Sequence, residues 1–447
     1  MLEIQSISYS KILKLAFPII IGGIAQNIIM ATDAFFMARV GEVSLDAVGL
    51  AGLFFTTVYI LGLGFSIGVQ ILIARRHGEK DFASIGAIFD NSLIFLGVLS
   101  LFLWVGMEWL GPLILKSLIH SDAVYQAAIL YLDDRAWGIT FALVNLAFRA
   151  FFIGISTTSI ISWSTFATAA ANVALNYGLI FGNFGLPAMG ISGAAIASSL
   201  AEIVGTLAFL GYVFGGKFHQ SFQLFAQWKW KKEVMAQISK IASPVMFQYF
   251  ISHAGWFLFF IIVEQAGERA LAISVIIRII YMFQMVPFWG FSSATNTLVS
   301  HAIGEGAPER VMPLLKRITL LSVLGSLLFI IPNFLFPEWV LSLAIQDNST
   351  ALIQQSIPTL YVISVALFFF GLAMTWFSGV TGSGNTRTAL LIETCTIATY
   401  LLVAWFIGIH MQGEVHQVWY TEPFYFAIMG IVSFWYMNSG KWKNKKI

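Results

Sequence analysis

The second half of this chain repeats the first. Lys14-Leu15-Ala16-Phe17-Pro18 matches Lys240-Ile241-Ala242-Ser243-Pro244, Gly41-Glu42 matches Gly267-Glu268, Gly64-Phe65-Ser66 matches Gly290-Phe291-Ser292, and Gly78-Glu79 matches Gly304-Glu305. Each pair lies 226 positions apart, with no gap over some 65 residues. The offset drifts to 228 between Gly154 and Gly382 and returns to 226 between Gly182 and Gly408. A period of about 20–50 residues would predict a solenoid, whereas half a chain predicts two lobes. In a membrane protein, such a repeat points to a transporter with its substrate site between the halves.

The composition places the chain in a membrane. Charged residues make up 10% of it and hydrophobic residues 58%, far from the soluble average. A span needs about 20 mostly apolar residues. Twelve stretches qualify: 12–38, 46–74, 86–110, 126–153, 160–182, 189–214, 238–264, 271–300, 313–335, 353–380, 388–410 and 418–438. Six belong to each repeat. An even number per half gives both halves one orientation, related by an axis along the membrane normal. The fold class expected is therefore an all-α membrane protein of twelve transmembrane helices in two pseudo-symmetric six-helix lobes around a central cleft. Its expected parts are an N-terminal lobe over 1–220, an inter-lobe loop over 221–236 and a C-terminal lobe over 237–447.

Charge sets the expected sidedness. With the N-terminus inside, eighteen Lys and Arg fall in inner segments, among them Arg75, Arg76, Lys217, Lys229, Lys231, Lys232 and the basic end Lys441–Lys446. Only Arg39, Lys116, Arg135 and Arg269 fall outside. This bias predicts a multi-pass protein of the cytoplasmic (inner) membrane with both termini cytoplasmic. The basic central loop with Trp228 and Trp230 suits a helix or strap on the inner membrane surface. A net charge of +2 argues against a nucleic-acid partner. The single cysteine, Cys395, lies in a predicted span, so no disulfide is expected. The apolar run after Lys14 is too long for the core of a secretion signal, so no cleavable leader is expected. The expected partners are membrane lipids and small organic substrates, and the expected state is a monomer.

Ionisable groups inside a span are costly and need a reason. The candidates are Asp33, Arg149, Glu202, His253, Arg278 and Glu393. Asp33 lies roughly 8 Å below the outer end of the first span at 1.5 Å per residue, too short to snorkel. Gln26, Met30, Asp33 and Met37 follow steps of three and four and share a face suited to lining a cavity. The fifth span adds Asn172 and Asn176, and the sixth adds Ser198 and Glu202, both at i,i+4 spacing. Asp33, two amides and a hydroxyl form an oxygen-donor set for a hard cation such as Na+. A proton needs only the one carboxylate, and a cation paired to it, with Arg149 the obvious choice, would hold it ionised. Packing by interhelical hydrogen bonds is the competing role for the two asparagines.

The second half differs at these positions, with Phe259 opposite Asp33 and His253 opposite Asn27. Ion binding is therefore expected to be asymmetric. Residues expected to reach the substrate cleft are Gln26, Met30, Met37, Asn145, Arg149, Glu202, Gln248, Trp256, Arg278 and Gln284. Pro18 and Pro244 occupy equivalent places in the two first helices; proline within a span permits a kink, and Pro18 is the expected hinge. Other chemistry is missing. Gly382-Ser383-Gly384-Asn385-Thr386 lacks the Walker lysine, no His/Cys group has metal-site spacing, and no catalytic constellation is legible. Neither an enzyme, nor a cofactor, nor a structural metal is expected.

The stretch Asp33-Ala34-Phe35-Phe36-Met37-Ala38-Arg39-Val40-Gly41, followed by Leu45-Asp46-Ala47-Val48-Gly49-Leu50-Ala51, resembles the first-helix signature of the multidrug and toxic compound extrusion (MATE) family. Twelve spans, a basic central loop, and Gly78-Glu79 and Gly304-Glu305 fit along the whole chain. Asn172 through Gly182 and Gly193 through Ser198 resemble the DinF-type branch. That resemblance implies a coupling-cation site in the amino-terminal lobe, with Asp33, Asn172 and Ser198 at the aspartate, asparagine and threonine positions. Position 176, an aspartate in that pattern, is Asn here, and the acids usual in the second lobe of NorM-type relatives are missing, Gln248 standing on the seventh helix. The family implies outward antiport of cationic or amphipathic organic molecules against inward H+ or Na+. A lipid-linked oligosaccharide flippase of the same superfamily is the alternative, disfavoured because only Arg149 and Arg278 lie within spans.

Overall fold

A computed structural model describes residues 7–226, 228–345 and 350–443; Lys445 and Lys446 of the basic end lie outside them. The described residues form helices and turns without a strand. In chain order these are α1 (Tyr9–Val40), α2 (Glu42–Gly78), α3 (Phe82–Leu118), α4 (Asp122–Ala136), α5 (Ile139–Gly154), α6 (Ser159–Phe181), α7 (Ile191–Gly215), α8 (Phe218–Ser221), α9 (Lys232–Gln265), α10 (Glu268–Gly304), α11 (Val311–Leu335), α12 (Pro337–Ser342), α13 (Thr350–Gly382), α14 (Thr386–Trp405), α15 (Val415–Trp419) and α16 (Thr421–Asn438).

Each of the twelve expected stretches is helical. Among the described residues, nine helices are long and apolar enough to cross a membrane, and ten if α4 and α5 are one span. That pair is the fourth expected span, over 126–153, and the chain bends by 51° between its two helices. No proline is involved. The bend falls at Trp137 and Gly138, where a Cβ on Gly138 would collide with Arg135 and Ser199 side chains. The remaining two stretches, α6 and α16, devote positions to Asn172 and Asn176 and to Glu422 and Asn438.

The repeat is visible in the backbone. α2 and α10 are both 37 residues long and start and stop 226 positions apart. Each begins after an extended positive-φ glycine, Gly41 (φ 148°) and Gly267 (φ 110°), a conformation a side chain would resist. Each ends with the next residue's N–H bonded back into the last turn: Glu79 to Arg75 and His77, Glu305 to His301 and Ile303. Glycine crossings repeat as well. A Cβ on Gly154 would press on Ile73 and the Gln70 carbonyl, and one on Gly382 would press on Asn296, the repeat partner of Gln70.

The chain forms two compact units, Ile21–Met246 and Met1–Ile20 with Phe247–Ile447. The handovers fall inside α1 and α9, each two residues beyond a proline, Pro18 and Pro244. Close packing explains the exchange. Gly64 of α2 meets the backbone of Met246 in the first unit, and Gly290 of α10 meets Ile20, the repeat partner of Met246, in the second. Ile12, Leu15 and Ala16 accordingly sit in the apolar core made by α10, α11, α13, α14 and α16.

The inter-lobe loop is packed against α3. α8 is followed by turns whose Phe225 N–H donates to Asp90 Oδ1 at 2.8 Å, and the Lys231 N–H donates to Asn91 Oδ1 at 2.9 Å. Asp90 and Asn91 are fully buried, so they recruit loop donors where water is excluded. Gly86 lets the Phe222 carbonyl approach α3. Trp228 and Trp230 remain exposed.

Candidate ion-coupling site

α1, α6 and α7 bring the four expected oxygen-bearing residues of the first unit into one hydrogen-bonded chain. Asn176 Nδ2 donates to Asp33 Oδ1 at 2.5 Å and to Asn172 Oδ1 at 3.1 Å. Asn172 Nδ2 donates to Ser198 Oγ at 3.2 Å. One turn of helix separates Asn172 from Asn176, so a single face of α6 presents both amides. α7 approaches closely because Gly193 lies on the backbone of Leu179, where a Cβ would sit 2.6 Å from the carbonyl. Asn172 and Asn176 are buried at 1% and 0% exposure, Ser198 at 9%, and Asp33 is half-buried. One polar atom is unserved: Asn176 Oδ1 is buried and has no hydrogen-bond partner. A buried lone acceptor beside a carboxylate costs free energy unless something fills it.

Neither Arg135 nor Arg149 forms an ion pair with Asp33 among the described residues, and Arg135 is in electrostatic range of it. Arg135 closes α4 at the bend and is 8% exposed. Its guanidinium lies 4.1 Å over the Phe55 ring and donates to Ser199 Oγ at 3.3 Å. The charge count places Arg135 in an outer segment, whereas the structure buries it at the end of α4, beside the bend. Arg149 is half-buried, with Tyr59 in electrostatic range of it and of Glu202.

The other candidates separate into distinct surroundings. Asn145 Nδ2 donates to Glu202 Oε2 at 2.8 Å, and Thr206 donates to Asn145 Oδ1 at 2.8 Å. Asn145 and Glu202 thus form one polar crossing between α5 and α7. Gln26 and Met30 are exposed, whereas Met37 on the same expected face is fully buried. The shared face of α1 is therefore not one uniform lining. In the second unit Gln284 is buried and exchanges hydrogen bonds with Asn333 at 2.9 and 3.2 Å, which places it in the helix interior rather than on an open surface. Arg278 lies 5.1 Å from the Phe260 ring. Gln248 is buried with Oε1 unpartnered, and Trp256 donates to Glu422 Oε1 at 3.0 Å. Glu422 escaped the sequence reading because it opens the last span, where an acid reads as interfacial; the aromatic spacing of Tyr281 and Tyr400 gives no hint of a shared acceptor. No cluster of three or more metal-ligating side chains occurs among the described residues.

A family model, MatE, matches residues 18–178 and again 244–406. The chain belongs to the MatE family. The two matches coincide with the two repeats, and family membership makes the chain a multi-pass transporter. A probable multidrug resistance protein NorM of Thermotoga maritima is 25% identical over 444 residues, covering 98% of this chain and 94% of its own. A protein of the same description from Synechocystis is 24% identical, covering 95% and 93%. Among solved structures, a MOP superfamily transporter from Pyrococcus furiosus superposes with a TM-score of 0.90 at 20% identity, over 98% of this chain and 96% of that one. A multidrug resistance MATE family transporter in an outward-facing conformation has the same score and coverage. These structural likenesses establish the MATE transporter fold.

Proposed function

We propose that this MatE protein is a multidrug efflux antiporter of the cytoplasmic membrane, working by alternating access. It exports cationic or amphipathic organic compounds in exchange for an inward cation, with Asp33 as the coupling carboxylate. Full-length similarity to the NorM relatives supports efflux. The observation that carries the coupling role is the chain Asp33–Asn176–Asn172–Ser198 with its one unserved acceptor. The four residues also support the DinF-type reading of the amino-terminal lobe, and the lobes over 1–220 and 237–447 with cytoplasmic termini complete it.

The same chain favours H+ over Na+. A dehydrated Na+ needs about five or six oxygens, and the four side chains supply too few without water or backbone carbonyls. A proton needs only the carboxylate. The Asn176 amide serves either state: its NH2 donates to ionised Asp33, and half a turn about its terminal bond presents its oxygen to a protonated one. Pro18, placed where α1 passes from one unit to the other, is the proposed hinge that this change acts on. Reconstituted protein under an imposed pH gradient at fixed Na+ should drive export of a fluorescent organic cation. Export that follows a Na+ gradient at fixed pH, and ignores the pH gradient, overturns the proton assignment.

A further inference from the structure

The second unit buries two carboxylates that the coupling chain around Asp33 does not use. Glu393 of α14 and Glu422 of α16 are each 2% exposed, and no ion pair reaches either among the described residues. Their hydrogen bonds differ in kind. Glu422 accepts from Trp256 Nε1 at 3.0 Å and Tyr400 Oη at 2.9 Å on Oε1, and from Tyr281 Oη at 3.4 Å on Oε2. Three donors carry three protons to three contacts, so Glu422 is balanced as an anion.

Glu393 is not. Its Oε1 contacts Tyr425 Oη at 2.7 Å and Ser252 Oγ. The same Ser252 Oγ lies 3.0 Å from the carbonyl oxygen of Gln248. These are three oxygen–oxygen contacts, but the two hydroxyls bring only two protons. A third proton on Glu393 completes the set: the carboxyl O–H donates to Ser252, Ser252 donates to the Gln248 carbonyl, and Tyr425 donates to the carboxyl oxygen. Without it, one of the three contacts is left as two oxygens with no hydrogen between them, beside a carboxyl that is itself buried.

We propose that Glu393 is a second proton-binding site of this transporter. The proposal rests on the antiport reading for its purpose but not for its chemistry. Loss of the proton obliges Ser252 to turn its hydroxyl from the Gln248 carbonyl to the carboxylate. That removes an i−4 side-chain bond from α9, the kind of bond that bends a helix, within two turns of Pro244. A hydrogen-bond change in α9 is thereby tied to a proton on α14. The titratable groups that face Glu393 are Tyr425 and, beyond it, Glu422 on α16, and Tyr249 on α9. The Tyr400 and Tyr425 rings are 5.4 Å apart, so the two acids share one aromatic wall, and among the described residues no ion pair offsets a second negative charge there.

The test is infrared spectroscopy of the full-length protein in lipid, in an Asp33→Asn background that removes the first carboxyl from the spectrum. The expected result is a protonated-carboxyl C=O band at neutral pH. It is lost in Glu393→Gln, kept in Glu422→Gln, and shifted in Ser252→Ala, which alters only a hydrogen-bond partner. Should Glu393→Gln not fold, the Ser252→Ala shift decides. A spectrum without the band, or one indifferent to Glu393→Gln or to Ser252→Ala, overturns the proposal. The Asp33 reading fails separately, by unimpaired transport in Asp33→Asn alone, and the band at Glu393 would survive that failure.

Discussion

Asn176→Asp places a second carboxylate where an amide now donates to Asp33. The donor nitrogen lies 2.5 Å from Asp33 Oδ1, and the position is fully buried. Two like charges at about 3 Å and an effective dielectric near 20 repel by roughly 5 kcal/mol. The asparagine donor is lost as well, which removes about 1–2 kcal/mol of favourable interaction. No side chain of the hydrogen-bonded set Asn172, Asn176 and Ser198 carries a compensating charge, and Arg135, though in electrostatic range, makes no ion pair with Asp33. The pair therefore has to take up a cation. Even about 30% of the repulsion, returned on binding, is roughly 1.4 kcal/mol, a tenfold gain in affinity. The expected outcome is that Asn176→Asp binds Na+ at least about tenfold more tightly than the natural protein, read by calorimetry at fixed pH, with transport becoming Na+-dependent. A variant that binds Na+ no better and takes up no additional proton at neutral pH would refute the reasoning, because two bare carboxylates cannot persist at that distance.

Other outcomes follow from the same geometry. Asn172→Ala removes the link from Asn176 to Ser198; membrane hydrogen bonds of this kind contribute about 0.6 kcal/mol on average, so export should slow without stopping, in contrast to loss of Asp33. Arg135→Met deletes the guanidinium that lies over Phe55 and within electrostatic range of Asp33, and the pH profile of transport should move while that of Lys116→Met does not. Gly154→Val and Gly382→Val press on equivalent positions of α2 and α10; each should lower thermal stability by about 1–3 kcal/mol, and by similar amounts, when melting is followed in detergent.

Much of this architecture is legible in the sequence because bilayers constrain it so tightly. Backbone groups in lipid have to be satisfied within helices, so apolar stretches such as 46–74 and 271–300 become α2 and α10. A constant offset between Gly41 and Gly267 is enough to predict that these helices share their boundaries. The polar chain was legible in part for the same reason: an i,i+4 pair such as Asn172 and Asn176 occupies one face wherever the helix goes. What it touches across helices depends on rotations that spacing does not encode. Within the stretch 126–153, Arg149 lies four residues from one end and Arg135 nine from the other, and the bend at Trp137 and Gly138 falls beside Arg135. Hydropathy cannot register such a bend, because both arms are apolar. The exchange of Met1–Ile20 and the start of α9 between the units is equally silent, since it depends on Gly64 and Gly290 admitting a neighbouring backbone. Glu422 lies near the start of its stretch, where position alone does not single it out, and the structure shows it buried among three aromatic donors.

The central claim is that Asp33 couples ion entry to export, and Asp33→Asn in proteoliposomes addresses it most directly. The substitution keeps the volume and trades a charge-assisted bond for a neutral one, a loss of about 1 kcal/mol, so the protein should still fold and bind substrate. The measurement is export of a fluorescent organic cation under an imposed ion gradient, beside a substrate-binding titration of the same preparation. The account predicts retained binding with gradient-driven export abolished. Export at the natural rate under the same gradient would contradict it, leaving Asp33 with a packing role alone.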